Sequence, residues 1–360
     1  MFENALNKAP VDPEEFRGRS ILVTGGTGSF GKQFVKTVLA RFNPKRLIVF
    51  SRDELKQSEM AESFSTARHP NLRYFLGDVR DRDRLEMALR GVEIVVHAAA
   101  LKQVPAAEYN PFECIHTNVL GAENVVQAAI RVGVKKIVAL STDKAVNPIN
   151  LYGASKLAAD KIFVAGNNLS GESGSHFSVV RYGNVLGSRG SVVPLFHKLI
   201  REGAASLPIT HPEMTRFWIT LQQGVDFVLQ SITSMSGGEI FVPKIPSMRV
   251  IDVARSMAPD LPHKIVGIRP GEKVHEALIT EDDARGTVDL GDHFVIVPSI
   301  RFWTNEKFDT FKRVPAKFTY TSDKNPLQLD VEAFRSLLQQ SGLWEDRKLE
   351  SLQQTGTARE

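Results

Sequence analysis

The chain has a single cysteine, Cys114, among 360 residues. It can form no internal disulfide, and no second thiol exists to complete a structural zinc or iron–sulfur site, so a reducing cytoplasm is the expected home. The nine histidines show no His-x-x-x-His or comparable spacing, and no metal is expected. Long uncharged apolar runs are missing too: the best candidate, Val92 to Leu101, carries Glu93 and His97 and is too short to cross a bilayer. The first 18 residues mix acidic and basic side chains and do not resemble a signal peptide. No membrane contact is therefore expected. Aromatic residues are sparse at 8%, but 42% hydrophobic and 24% charged residues make an ordinary globular composition and exclude a disordered chain. The 45 Lys+Arg against 41 Asp+Glu leave a net charge of +4, scattered along the chain. That pattern suits a small anionic ligand and not nucleic acid.

What is present from Ser20 onward is an alternation of short β-branched runs with segments of helical period. It predicts an α/β fold, a Rossmann-type doubly wound parallel sheet covered by helices. Strands are expected at Ile21–Thr24, Leu47–Ser51, Arg73–Leu76, Ile94–His97, Lys136–Leu140 and Ser178–Tyr182. A helix is expected over Phe30–Phe42, where Phe30, Phe34, Val38 and Phe42 recur every fourth residue. After Gly183 the rhythm gives way to loops rich in Gly, Pro and Arg, which reads as a smaller, less regular C-terminal lobe set against the carboxyl ends of the sheet. The expected division is a dinucleotide-binding domain over 17–190, with parts of 217–245 returning to it, and a substrate lobe over 191–345. Residues 1–16 and 346–360 are expected to be flexible termini.

Directly after the first strand comes Thr24-Gly25-Gly26-Thr27-Gly28-Ser29-Phe30-Gly31. Glycines at Gly25, Gly28 and Gly31 permit a tight turn and let the N–H groups around Thr27, Ser29 and Phe30 approach a pyrophosphate at a helix N-terminus. This is a dinucleotide cradle. The second strand ends in Ser51-Arg52-Asp53, with Lys56 close behind. Ser51, Arg52 and Lys56 favour a 2′-phosphate and hence NADP, while Asp53 keeps NAD open and Arg52 has an alternative reading as a solvated turn charge. After the third strand, Asp78 can meet the adenine edge with Val79 packed on the ring, or Asp78 can cap the helix beginning near Arg82. Small residues Ala98 and Ala99 end the fourth strand and would let the cofactor lie across it.

Tyr152 and Lys156 stand at i and i+4 at the start of a predicted helix, which puts both on one face. For Tyr152 to act as a base near pH 7, its phenolate needs about 4 kcal/mol of differential stabilisation; Lys156 and a positive nicotinamide are the expected sources. With the glycine turn, the Tyr152-x-x-x-Lys156 pair resembles the extended short-chain dehydrogenase/reductases over residues 17 to 300. Within that family, four segments are most similar to the soluble C5-inverting UDP-N-acetylglucosamine 4,6-dehydratases that begin pseudaminic acid synthesis. They are Ser141 to Tyr152, Phe50 to Gln57, Arg181-Tyr182-Gly183-Asn184-Val185 and Met214-Thr215-Arg216-Phe217-Trp218.

The resemblance implies that Tyr152 takes the C4 hydroxyl proton and that Lys156 tunes Tyr152 and binds the cofactor ribose. It implies that Lys144 removes the C5 proton, Asp143 protonates the departing C6 hydroxyl and Thr142 bonds the sugar near C4. Lys144 must be neutral to act as a base, and Lys156 with the nicotinamide is expected to lower its pKa; without the resemblance, Lys144 could equally be a surface partner of Asp143. Val185 falls at a cofactor position. Lys102, Asn184, Arg189, Thr210, Arg216, Arg269 and Glu272 fall at positions that hold UDP-N-acetylglucosamine, though Glu272 has an alternative as a partner of Arg269. A sugar 4-epimerase would share the cofactor turn, Tyr152 and Lys156 without requiring Asp143 and Lys144, and a non-catalytic NADP-sensing module would need neither pair. The family pairs through long helices, here expected at Phe112–Val132 and Tyr152–Leu169, which makes a homo-oligomer the expected assembly.

Overall fold

A computed structural model describes residues 11–171, 174–188, 190–298 and 306–344. Six strands follow one another as β1 (Ser20–Thr24), β2 (Arg46–Ser51), β3 (Leu72–Leu76), β4 (Ile94–His97), β5 (Lys136–Thr142) and β6 (His176–Tyr182). All are parallel and lie in the order 3-2-1-4-5-6, the doubly wound arrangement in which ligands bind where the order reverses. Ile240–Pro243 continues the sheet parallel to β6, and His293–Ile296 and Thr287–Asp289 close it antiparallel, giving nine strands. Each expected strand lies within an observed one.

The central strands read as continuous apolar runs because helices cover both faces. Ile21, Leu22, Val23, Val95, Val96, Ile137 and Val138 are fully buried. The expected aromatic stripe forms helix Ser29–Arg41, with Phe34 and Val38 inside and Phe30 and Phe42 packed against the same core. A separate apolar cluster holds the C-terminal lobe together, centred on Phe196, Trp218 and Phe334, with the Trp218 ring edge-on to Phe334 at 5.4 Å between centroids. Among the described residues, no helix is long and apolar enough to cross a membrane.

The expected helix Phe112–Val132 is not regular. Helix Pro111–Ile115 passes through a π-helical turn, His116–Leu120, before continuing as Gly121–Val132. Such widened turns insert a residue into an α-helix and re-aim its side chains. Of the leader over 1–16, residues 11–16 are described: Asp12 caps a single 3-10 turn, Pro13–Glu15, and Phe16 is fully buried against Phe42, with centroids 4.7 Å apart. Residues 1–10 and the expected flexible tail 346–360 lie outside the described residues.

Candidate active site

The carboxyl ends of β1, β2, β4, β5 and β6 open on a cleft of ≈ 720 Å³. Its floor is the glycine turn. Gly25 has φ +64°, and a Cβ there would stand 2.9 Å from Ala99 Cα; a Cβ on Gly31 would come within 2.4 Å of Gly26 Cα. Backbone thus occupies the space side chains would fill, as a pyrophosphate cradle requires. Gly28 is the N-cap of helix Ser29–Arg41 and offers no side-chain cap, so the first-turn N–H groups are directed to the cleft. Thr24 Oγ1 accepts from the N–H groups of Ala98 (3.1 Å) and Ala99 (3.2 Å) and meets His97 Nδ1 at 2.9 Å, fixing the strand end across which a cofactor would lie.

At the outer end of the cleft, Thr27 Oγ1 and Ser51 Oγ are 3.0 Å apart. The Asp53 carboxylate caps helix Glu54–Ser63 through Lys56 N (3.0 Å) and pairs with Lys56 Nζ at 2.5 Å. These bonds hold Asp53 below the usual carboxylate range. Arg52 reaches Asp78 at 3.5 Å, and Arg80 pairs with Asp78 at 2.8 Å. Asp78 does not cap the following helix: Asp81 does, accepting from Arg84 N at 2.9 Å, because the chain needs one more turn before the helix starts. Val79 is buried beside the cleft.

Where β5 ends, Thr142 caps the short turn Asp143–Ala145. Helix Leu151–Ser170 packs on that turn, capped by Asn150, whose side chain accepts from Gly153 N at 2.7 Å and donates to Gly271 O at 2.8 Å. The approach is so close that a Cβ on Gly153 would lie 2.1 Å from Lys144 O. The packing brings Tyr152, Lys156, Thr142 and Lys144 to one wall of the cleft, with Asp143 buried behind Lys144. Asp143 is 0% exposed and accepts from Thr142 Oγ1 at 2.8 Å and from Lys144 Nζ at 2.9 Å. Lys156 Nζ donates to Leu140 O at 2.6 Å; burial lowers its pKa and Asp160 opposes the fall.

The protonation states differ from those expected. Burial pushes the Tyr152 phenol up to about 12, and the cation that works against this is Lys144, helped by the neighbouring Thr142 hydroxyl; the side chain of Lys156 is instead turned to the Leu140 carbonyl. Burial also disfavours charge on Lys144, but Asp143 and Glu276 outweigh it and hold its pKa above the ordinary lysine value. Lys144 therefore rests as an ammonium beside Asp143.

A smaller cavity of ≈ 260 Å³ joins this wall, lined by Lys102, Asn184, Thr210, Arg216, Arg269 and Glu272 as well as Lys144. Six of the seven expected substrate residues therefore converge, and Arg189 lies outside the described residues. Arg216 is 5% exposed, with donors committed to the carbonyls of Thr215 (2.7 Å), Val274 (3.1 Å) and Lys273 (2.9 Å). Glu272 pairs with Arg216 at 3.8 Å and accepts from Arg269 N at 3.4 Å. Val185 and Asn184 border the larger cleft. Sequence reading missed Thr117 and Asn118 in the π turn, and Lys273 and Glu276 beyond Glu272. Asn118 joins Leu101 O (2.9 Å) to Ser155 Oγ (2.9 Å), tying the loop after β4 to helix Leu151–Ser170. The one available signal for Glu276 was an acid opening the apolar run Ala277–Ile279.

Residues 21–298 match the family described as polysaccharide biosynthesis protein. The chain belongs to that family. A relative from Campylobacter jejuni serotype O:2, named UDP-N-acetylglucosamine 4,6-dehydratase (inverting), is 56% identical over 87% of this chain and 95% of its own length. Within the same similarity, a UDP-glucose 4-epimerase of Rickettsia canadensis is 40% identical over 90% of this chain and 96% of its own. Among solved structures, Pen from Bacillus thuringiensis superposes with a TM-score of 0.83 at 36% identity, covering 91% of this chain and 99% of that one. Relatives that differ in named activity are thus similar over most of this chain.

Proposed function

We propose that the chain is a UDP-N-acetylglucosamine 4,6-dehydratase that inverts C5 and works through bound NADP. The observation that carries this reading is the Lys144–Asp143 contact of 2.9 Å on the wall that also presents Tyr152. Removing water from C6 requires a ketone at C4, since only then is the C5 proton acidic enough to abstract. When bound, the nicotinamide accepts hydride from C4 and returns it at C6. Tyr152 Oη takes the C4 hydroxyl proton, and the nearby Lys144 cation favours its phenolate.

The next step needs Lys144 neutral and Asp143 protonated. Passing one proton from Lys144 Nζ to Asp143 Oδ1 along their existing hydrogen bond makes both at once. Lys144 then takes the C5 proton, the C5 electron pair moves into the C4 carbonyl as an enolate, and the C6–O bond breaks as Asp143 gives its proton to the leaving hydroxyl. The cations around the smaller cavity, Lys102, Arg269 and Lys273, suit a diphosphate. Ser51, Arg52 and Lys56 support NADP, because Asp53 spends its carboxylate on Lys56 and its own helix cap. A fully buried lone cysteine fits a reducing cytoplasm.

The match to a 4-epimerase keeps one competing reading. Incubation with UDP-N-acetylglucosamine in heavy water separates the two. The expected product is lighter by one water and carries solvent deuterium at C5; an isomer of unchanged composition would establish the epimerase instead. Equilibrium titration with both dinucleotides checks the cofactor, with tighter binding of NADP expected and tighter binding of NAD refuting that choice.

A further inference from the structure

Glu276 is 2% exposed, lines the smaller cavity and has a carboxylate oxygen, Oε2, without any hydrogen-bond partner. An orphaned buried carboxylate oxygen is expensive and calls for a reason. Its backbone is clamped: Glu276 N donates to Ser322 Oγ at 2.9 Å and Ser322 N to Glu276 O at 2.8 Å. The side chain pairs with three cations, Lys144 Nζ at 3.6 Å, Arg216 Nε at 3.8 Å and Lys273 Nζ at 3.8 Å, with Asp143 opposing them from nearby. Lys273 is anchored elsewhere, to Val146 O at 2.5 Å, and Arg216 to backbone carbonyls. Lys144 is thus the cation that Glu276 can influence most. Around Lys144 Nζ stand three oxygens, Asp143 Oδ1 at 2.9 Å, Asn184 Oδ1 at 3.4 Å and Glu276 Oε1 at 3.6 Å, which matches the three N–H donors of an ammonium.

We propose that Glu276 is a positioning residue for Lys144, completing a three-oxygen socket that aims the amine at the sugar and stabilises the ammonium formed when it takes the C5 proton. The inference rests on the dehydratase reading. Asp143 begins this step protonated and regains its charge only as its proton passes to the departing C6 hydroxyl, whereas Glu276 faces Lys144 from the start. Burial raises the Glu276 pKa while Lys144, Arg216 and Lys273 lower it; as an anion, its attraction grows as Lys144 becomes charged and so acts on the transition state more than on the ground state.

The test compares the wild type with Glu276→Gln and Glu276→Asp, all loaded with cofactor. Thermal midpoints, C5 deuterium uptake, loss of water and the near-ultraviolet absorbance of reduced nicotinamide in a single turnover are followed. Glu276→Gln is expected to lower kcat at least about tenfold with KM within about twofold. Reduced nicotinamide should build up, since C4 oxidation then outruns C5 proton removal. Glu276→Asp keeps the charge and should recover part of the rate. A folded Gln variant with wild-type kcat, or with slow turnover but no build-up, overturns the proposal. If the Gln variant does not fold, the Asp variant decides: slowed C5 uptake at unchanged KM supports the proposal and wild-type kinetics refute it. A wild type that releases no water refutes the dehydratase reading and this inference with it, whereas normal wild-type turnover beside unaffected variants refutes the inference alone.

Discussion

Burial sets the charge of single groups here, and neighbours decide whether they keep it. His97 has a fully buried ring, beside Thr24 Oγ1 and 5.3 Å from the Phe163 ring centroid, and burial drives its pKa to about 3. The folded state therefore holds His97 neutral where the unfolded chain, with an ordinary value near ~6.5, takes a proton. Because the unfolded state binds the extra proton, the associated stability is fully present above about pH 6.5 and drains away as the pH falls towards about 3. Linkage puts the loss at about 3 kcal/mol by pH 4. His97→Gln should be less stable at pH 7, through poorer packing, yet show a flatter fall in Tm between pH 7 and pH 4. Equal slopes in the two proteins would refute the assignment. Lys144 is the opposite case: burial acts against its charge, but Asp143 and Glu276 keep it an ammonium.

The turn Asp143–Ala145 and the helix Leu151–Ser170 act as a unit because Gly153 lets them touch. Gly153→Ala would insert a methyl 2.1 Å from Lys144 O and must part the two elements. A displacement of this kind at a reacting centre can cost about 10²-fold in rate, and overpacking about 1–3 kcal/mol in stability. We expect kcat to fall by about that factor while dinucleotide affinity, set mainly by the separate glycine turn, changes less than about threefold; steady-state kinetics and equilibrium titration check both. Unaltered turnover would show that the contact is not needed. The strands, the glycine turn and the Tyr152/Lys156 spacing were legible because each is local, a matter of period or of neighbours a few residues apart. The π turn was not, since His116–Leu120 lies inside an otherwise helical pattern. Nor was Glu276, whose partners are fixed by the packing of the C-terminal segment against the β5 turn. Asp78 read as a possible cap for the helix near Arg82, and the path of the loop gives that place to Asp81.

Assembly is the remaining consequence of how the apolar surface is distributed over the molecule. Most large side chains enter one of two clusters, yet Tyr109 is 87% exposed, Phe112 76% and Leu169 70%, with Leu120 also exposed. Single exposed apolar residues are ordinary. These four lie on helices that pack against one another, Val104–Tyr109, Pro111–Ile115 with its π turn, and Leu151–Ser170, and a second copy of the chain would cover them. We propose a homo-oligomer formed through this surface. Sedimentation at micromolar concentration should give a mass at least twice the 39.9 kDa of one chain. Phe112→Glu places a charge on this surface, so it should dissociate the assembly while the separated chains still bind dinucleotide, because the glycine turn lies on other elements. A wild type that sediments as a single chain refutes the proposal, as does a Phe112→Glu variant of undiminished mass.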